Sequence, residues 1–179
     1  MELIFITGNQ NKADNATKLL GIPVSHHKLD LDEIQSLDLQ EVVEHKLKQA
    51  YSIIKKPVII EDVSLEFAEL KRLPGTFIKF FVSELGIDGL CSLIGKNRKA
   101  TAKCIIGYTD GKTTKFFEGK VDGEIVPSPR GSGGFGWDKV FMPNGFGGKT
   151  NAELNEKDYS QYYKQIRKFD LLKEFINTK

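Results

Sequence analysis

Apolar positions follow two rhythms along the chain, and the switches between them lay out its elements. Leu3, Ile4, Phe5 and Ile6 form an unbroken apolar run that suits a buried strand, and Ala13, Ala16, Leu19 and Leu20 then recur at helical spacing. Gly21 and Pro23 stop that helix, and residues 23–29 give a second short strand. Leu39, Val42, Val43, Leu47, Ala50, Tyr51 and Ile54 make one apolar helix face over about residues 39–55, ended by Pro57. Val58, Ile59 and Ile60 predict a buried central strand that ends at Glu61 and Asp62.

Leu73-Pro74-Gly75 predicts a turn, followed by helical stretches over 77–85 and 90–94. Beyond residue 100 the period changes to two. Residues 100–108, the turn Thr109-Asp110-Gly111-Lys112 and residues 113–117 predict a hairpin that continues over 119–126. Residues 127–136, rich in Gly, Pro and Ser, predict a shaped loop, and Val140-Phe141-Met142 one more strand. Thr150 and Glu153 have capping-box spacing, and a C-terminal helix interrupted near Asp158 carries Ile166, Phe169, Leu172 and Ile176.

Composition narrows the function classes. The 179 residues suit one domain with a full core. A net charge of +2 gives no general attraction to nucleic acid or membrane, so any anion selectivity is local. Two cysteines, Cys91 and Cys104, lack a metal-site spacing, and no apolar run approaches the ~20 residues of a spanning helix. With no secretory leader before the first strand, the expectation is a soluble cytoplasmic protein.

The candidate chemistry begins where the first strand meets the first helix, at Thr7-Gly8-Asn9-Gln10-Asn11-Lys12. Gly8 and Asn9 are residue types that tolerate unusual backbone angles, so that N–H groups converge on an anion at a helix N-terminus, and Lys12 adds a full charge. Glu61 and Asp62, with the acidic group around Glu33, supply carboxylates that would repel a polyphosphate unless Mg²⁺ bridges them to it. Neighbours on a strand face opposite ways, so only one of Glu61 and Asp62 faces the phosphate turn, and the alternation leaves open which. His26, His27 and His45 have no ligand spacing, and Ser64, Ser132 and Cys91 no nucleophile context.

Taken with Leu73-Pro74-Gly75 and Phe77-Ile78-Lys79, Gly134-Phe135-Gly136-Trp137-Asp138, Gly148-Lys149-Thr150 and Ala152-Glu153-Leu154, these segments make the chain resemble the inosine triphosphate pyrophosphatase family, in its eukaryotic-type branch. The resemblance implies an elongated two-lobed α/β fold with a mixed sheet and the nucleotide cleft between the lobes. Residues 1–179 would form a single nucleoside triphosphate pyrophosphatase domain, usually a homodimer, that takes neither nucleic acid nor membrane as partner. It implies Mg²⁺-dependent hydrolysis of non-standard purine nucleoside triphosphates such as ITP, dITP and XTP to the monophosphate and pyrophosphate.

Asp62 would be the general base and a metal ligand, Glu33 the second metal ligand, and Thr7 to Lys12 the triphosphate cradle, with Lys12 also catalytic. Lys46, Lys79 and Lys157 would neutralise phosphate, Val63 would adjoin the substrate, and Phe135, Gly136, Trp137 and Asp138 would stack on and read the base.

The pattern breaks near the C-terminus. Ser-His-Arg, whose His and Arg read the base in the family, is replaced by Gln161, Tyr162 and Tyr163, with Lys164 and Arg167 the cations that a shift of register would bring there. The alternatives are therefore a pyrophosphatase of altered base specificity, for a modified pyrimidine or a standard nucleotide, and a nucleotide-binding protein without catalysis.

Overall fold

The computed structural model describes residues 3–178 and has a mixed α/β architecture. Seven strands form one mixed sheet in the order β2 (Val24–His27), β1 (Leu3–Ile6), β3 (Val58–Phe67), β5 (Lys99–Thr109), β6 (Thr114–Ile125) and β7 (Phe141–Pro143), with β4 (Pro74–Gly75) paired to β3. The chain groups into two compact units. The first takes the residues up to Asp62, Cys104–Gly119 and the chain from Arg167 on, and the second takes Val63–Lys103 and Lys120–Ile166. Among the described residues no helix is long and apolar enough to cross a membrane.

In the first unit, β1 (Leu3–Ile6) lies parallel to both β2 (Val24–His27) and the start of β3 (Val58–Phe67), with Leu3 opposite Val24 and Ile4 opposite Val58. All four β1 side chains are buried, as an unbroken apolar run requires when both faces of a strand are covered. Helix α1 (Gln10–Leu20) buries Ala13, Ala16 and Leu20, and α2 (Leu39–Ile54) buries Leu39, Val42, Val43, Leu47 and Ala50. Asp38 starts α2 by accepting from the backbone N–H of Gln40 at 2.8 Å and of Glu41 at 3.3 Å. The α2 stripe packs closely on this unit's part of β5 (Lys99–Thr109), because Gly107 is there: a Cβ at that position would stand 2.5 Å from Val43 Cγ1.

In the second unit β4 (Pro74–Gly75) pairs antiparallel with β3, Glu66 opposite Pro74, so Leu73-Pro74-Gly75 enters the sheet where the sequence predicts only a turn. Helix α3 (Ile78–Ser92) joins the two predicted helical stretches across a kink at Gly86, whose φ of 69° suits glycine. The end of β6 (Thr114–Ile125) pairs antiparallel with β7 (Phe141–Pro143). Arg98 ties α3 to this hairpin by donating to five carbonyls, those of Cys91, Ile94, Gly95, Ile125 and Val126, at 2.6 to 3.4 Å.

Two further expectations need correction. Strand β3 does not end at Glu61 and Asp62 but runs on to Phe67, so both carboxylates sit in mid-strand with their backbone in the ladder. The C-terminal region is two helices, α4 (Glu156–Ile166) and α5 (Phe169–Asn177), broken at Arg167 and Lys168 instead of near Asp158. Asp158 belongs to the first turn of α4, where its N–H donates to Asn155 Oδ1 at 2.8 Å and closes the cap. The Thr150–Glu153 capping box is present, but it caps only a single 3₁₀ turn.

Candidate active site

The turn between β1 and α1 is held by its own polar side chains. Thr7 Oγ1 accepts from the Asn9 N–H at 3.1 Å, and Asn9 Oδ1 accepts from the Lys12 N–H at 3.4 Å, making Asn9 the helix cap. The expected unusual backbone is not used: Asn9 is extended, with φ −108° and ψ 106°, and Gly8 stays outside the left-handed region. Gly8 serves close approach instead, since a Cβ there would stand 3.3 Å from the Cδ of Lys28, whose aliphatic stem crosses the turn. Lys28 is a cation that the sequence reading missed. Gln10 bonds Asp14 at 2.8 Å on the exposed side of α1, and the side chain of Asn11 lies outside the described residues.

Glu61 and Asp62 face opposite ways, as adjacent strand residues must, and the structure decides which meets the phosphate turn. It is Glu61. Its side chain is fully enclosed, with Oε1 3.0 Å from Lys12 Nζ and Oε2 3.1 Å from Arg167 Nε. Burial pushes the Glu61 pKa up, but the charges of Arg167 and then Lys12 outweigh it and hold the carboxyl below its ordinary 4.5. The Cys104 thiol is enclosed in the same surroundings and is pushed up, first by burial and then by the Glu61 charge, which leaves it an inert packing group.

Asp62 meets α2. Lys46 Nζ stands 2.5 Å from Asp62 Oδ2 and 2.8 Å from Glu33 Oε1, so one ammonium bridges two carboxylates. Burial pulls the Lys46 pKa down, but Asp62 and then Glu33 overcome this and raise it above 10.5. The space between Asp62 and Glu33 thus already stabilises a full positive charge. Among the described residues no three His, Cys, Asp or Glu are grouped to hold a metal. Two carboxylates are nevertheless a donor set that would suit a hard divalent cation if Lys46 yielded its place.

The expected base-reading segment lies in the second unit and has its own internal logic. Asp138 is buried, accepting from the Phe135 N–H at 3.0 Å and from Asn151 Nδ2 at 3.3 Å, so its carboxylate shapes the loop. Gly134, at φ 70°, makes room for it: a Cβ would stand 2.4 Å from Asp138 Oδ2. Trp137 is half-buried edge-on to Phe141, with centroids 5.6 Å apart, whereas Phe135 is 63% exposed and offers the free aromatic face. Gly136 follows it, also with positive φ. Val63 is half-buried on β3, and Lys79 on α3 and Lys157 on α4 are exposed.

At the place of the missing Ser-His-Arg, Gln161 is exposed and Tyr162 is buried among Phe141, Phe146 and Tyr159, with centroids 6.2 to 6.5 Å away. Lys164 is exposed, and Arg167, weighed from sequence as a base-reading substitute, is engaged with Glu61. The signal that could have found this pair was Glu61 itself, because a carboxylate continuing a β-branched buried run must have a cationic partner.

A sequence model described as Ham1 family matches residues 3–175. The chain belongs to the Ham1 family. A curated inosine triphosphate pyrophosphatase of Yarrowia lipolytica is 39% identical to it, covering 100% of this chain and 97% of the relative. One of Schizosaccharomyces pombe is 37% identical, covering 98% and 95%. These Ham1 relatives are eukaryotic, in line with the eukaryotic-type motifs. Among solved structures, the Ham1 protein of Staphylococcus aureus has a TM-score of 0.80 at 24% identity over 99% of both chains. A HAM1 protein of Coxiella burnetii has a TM-score of 0.85 at 20% identity over 100% of both chains. At such identities the two structures speak for the fold alone.

Proposed function

We propose that this Ham1 family chain is a Mg²⁺-dependent nucleoside triphosphate pyrophosphatase that hydrolyses ITP, dITP and XTP to the monophosphate and pyrophosphate. The observation that carries the reading is that neighbouring residues of one strand serve two oppositely charged clusters. Lys12–Glu61–Arg167 sets two cations about one carboxylate beside a helix N-terminus, and Glu33–Lys46–Asp62 sets two carboxylates about one ammonium. A triphosphate with its metal needs both signs. The naming of the curated relatives supports the same substrate class.

In this reading Thr7 to Lys12 hold the triphosphate through the α1 N-terminus and the Lys12 ammonium. Glu33 and Asp62 would hold Mg²⁺, which would supply charge to polarise and offset the phosphate. Asp62 takes the proton of a water attacking the α-phosphorus; the new P–O bond forms as the α–β anhydride bond breaks, and pyrophosphate leaves. Lys46, Lys79 and Lys157 neutralise phosphate charge, Val63 adjoins the substrate, and Phe135 stacks on the base beside Gly136, Trp137 and Asp138. Residues 1–179 act as one catalytic domain in a cytoplasmic homodimer, with neither nucleic acid nor membrane as partner.

A second reading keeps the chemistry and changes the base. It is favoured by Tyr162, which lies inside an aromatic cluster where the family has a base-reading histidine. Pyrophosphate release from ITP, XTP, dITP, GTP, ATP, UTP and modified pyrimidine triphosphates, with Mg²⁺ and with EDTA, separates the two. Preference for ITP and XTP that EDTA abolishes is the expected result. Preference for another base moves the substrate assignment, and tight binding without turnover makes the chain a nucleotide-binding protein.

A further inference from the structure

The assigned chemistry uses Asp62, Glu33 and Lys12 and leaves the enclosed Glu61–Arg167 pair without a role. Glu61 has two cations on separate oxygens, Lys12 on Oε1 and Arg167 on Oε2. The two are not equivalent. Lys12 stands on the first turn of α1 with 27% of its side chain exposed, whereas Arg167 is buried at the break between α4 and α5. If Lys12 were the only partner of Glu61, moving its ammonium onto a phosphate would strand a bare carboxylate in dry surroundings, a large penalty.

We propose that Arg167 is a positioning residue for the triphosphate: it keeps Glu61 neutralised, so that Lys12 is free to exchange the Glu61 carboxylate for a phosphate oxygen. The inference rests on the assignment of Thr7 to Lys12 as the triphosphate cradle. Because the two cations occupy different oxygens, Lys12 can depart without disturbing Arg167. Glu61 then acts as a parking place that holds Lys12 beside the turn in the free protein.

The test is calorimetric binding of inorganic tripolyphosphate to the full chain, which needs neither base recognition nor turnover. Lys12→Ala is expected to weaken binding at least about tenfold, and so is Arg167→Leu, because Lys12 then stays pinned by the buried carboxylate. Arg167→Lys is expected to rescue most of that loss. The decisive variant is the pair Glu61→Gln with Arg167→Leu, which removes both the trap and its counterweight and should return binding to within about threefold of wild type.

A purely structural Arg167 makes the paired variant as weak as Arg167→Leu or weaker, and that result overturns the proposal. So does wild-type affinity in a folded Arg167→Leu. Should Arg167→Leu not fold, the charge-balanced pair carries the test alone: near-wild-type affinity supports the proposal and a loss of about tenfold or more overturns it. If Lys12→Ala binds tripolyphosphate like wild type, the cradle assignment itself fails, and the proposal with it.

Discussion

Glu61 and Asp62 are chemically alike, adjacent, and on the same strand, yet they belong to clusters of opposite sign. Glu61 has two cations and no exposed side-chain surface; Asp62 shares one cation with Glu33 and has 26% of its side chain exposed. The lesson is that strand alternation can hand consecutive carboxylates to two differently charged clusters. The backbone fixes which carboxylate turns to Lys12 and Arg167 and which to Lys46.

The largest expected effect separates the pair by activity. Asp62→Asn is expected to lower pyrophosphate release by about a thousandfold, the middle of the range for loss of a general base, while costing less than about 1 kcal/mol of stability because its ion pair is partly exposed. Glu61→Gln is expected to do the reverse on stability. It leaves Lys12 and the buried Arg167 without their shared carboxylate, and urea unfolding should show a loss of about 3 to 5 kcal/mol. Equal stability losses at the two positions would erase the distinction.

The clusters also divide by pH. The Glu61 pKa lies lower in the folded chain than its ordinary 4.5, so the unfolded chain takes up that proton first. Its contribution is complete above the unfolded value and is lost as pH falls through the folded one. The Lys46 pKa lies above 10.5 in the folded chain, so its contribution is complete below 10.5 and is lost as pH rises through the folded value. Urea titrations across pH should show the acid limb flattened by the paired Glu61→Gln and Arg167→Leu substitutions and the alkaline limb by Lys46→Met.

The smallest effect sharpens the anion-facing side. Gly8→Ala meets only the flexible stem of Lys28 and no left-handed backbone, so a stability change below about 0.5 kcal/mol is expected in thermal unfolding. A large loss would mean that Lys28 cannot move aside.

Most of the architecture was legible because apolar rhythm reports burial. The α2 stripe from Leu39 to Ala50 and the β1 run are buried as their periods require. What could not be read was where polar chains end. The extension of β3 past Asp62 goes with its pairing to β4, Leu65 opposite Gly75 and Glu66 opposite Pro74, and with its place beside β5, partners that the run Val58 to Ile60 does not mark. The site was legible as residue types, and the sorting of Glu61 to Lys12 and of Asp62 to Lys46 was not, since alternation gives opposite faces without saying which is which. Arg167 was hidden for another reason: a buried arginine at a helix break has the composition of a surface loop.

Arg98 has a consequence for the second unit of a different kind. Its five bonds clasp the end of α3 to the β6 terminus, a closure that small extracellular folds often make with a disulfide. Cys91, whose carbonyl takes one of those bonds, keeps a free, buried thiol. The clasp is assembled by chain folding alone, so its formation requires neither oxidant nor isomerase and is indifferent to the redox state of its surroundings.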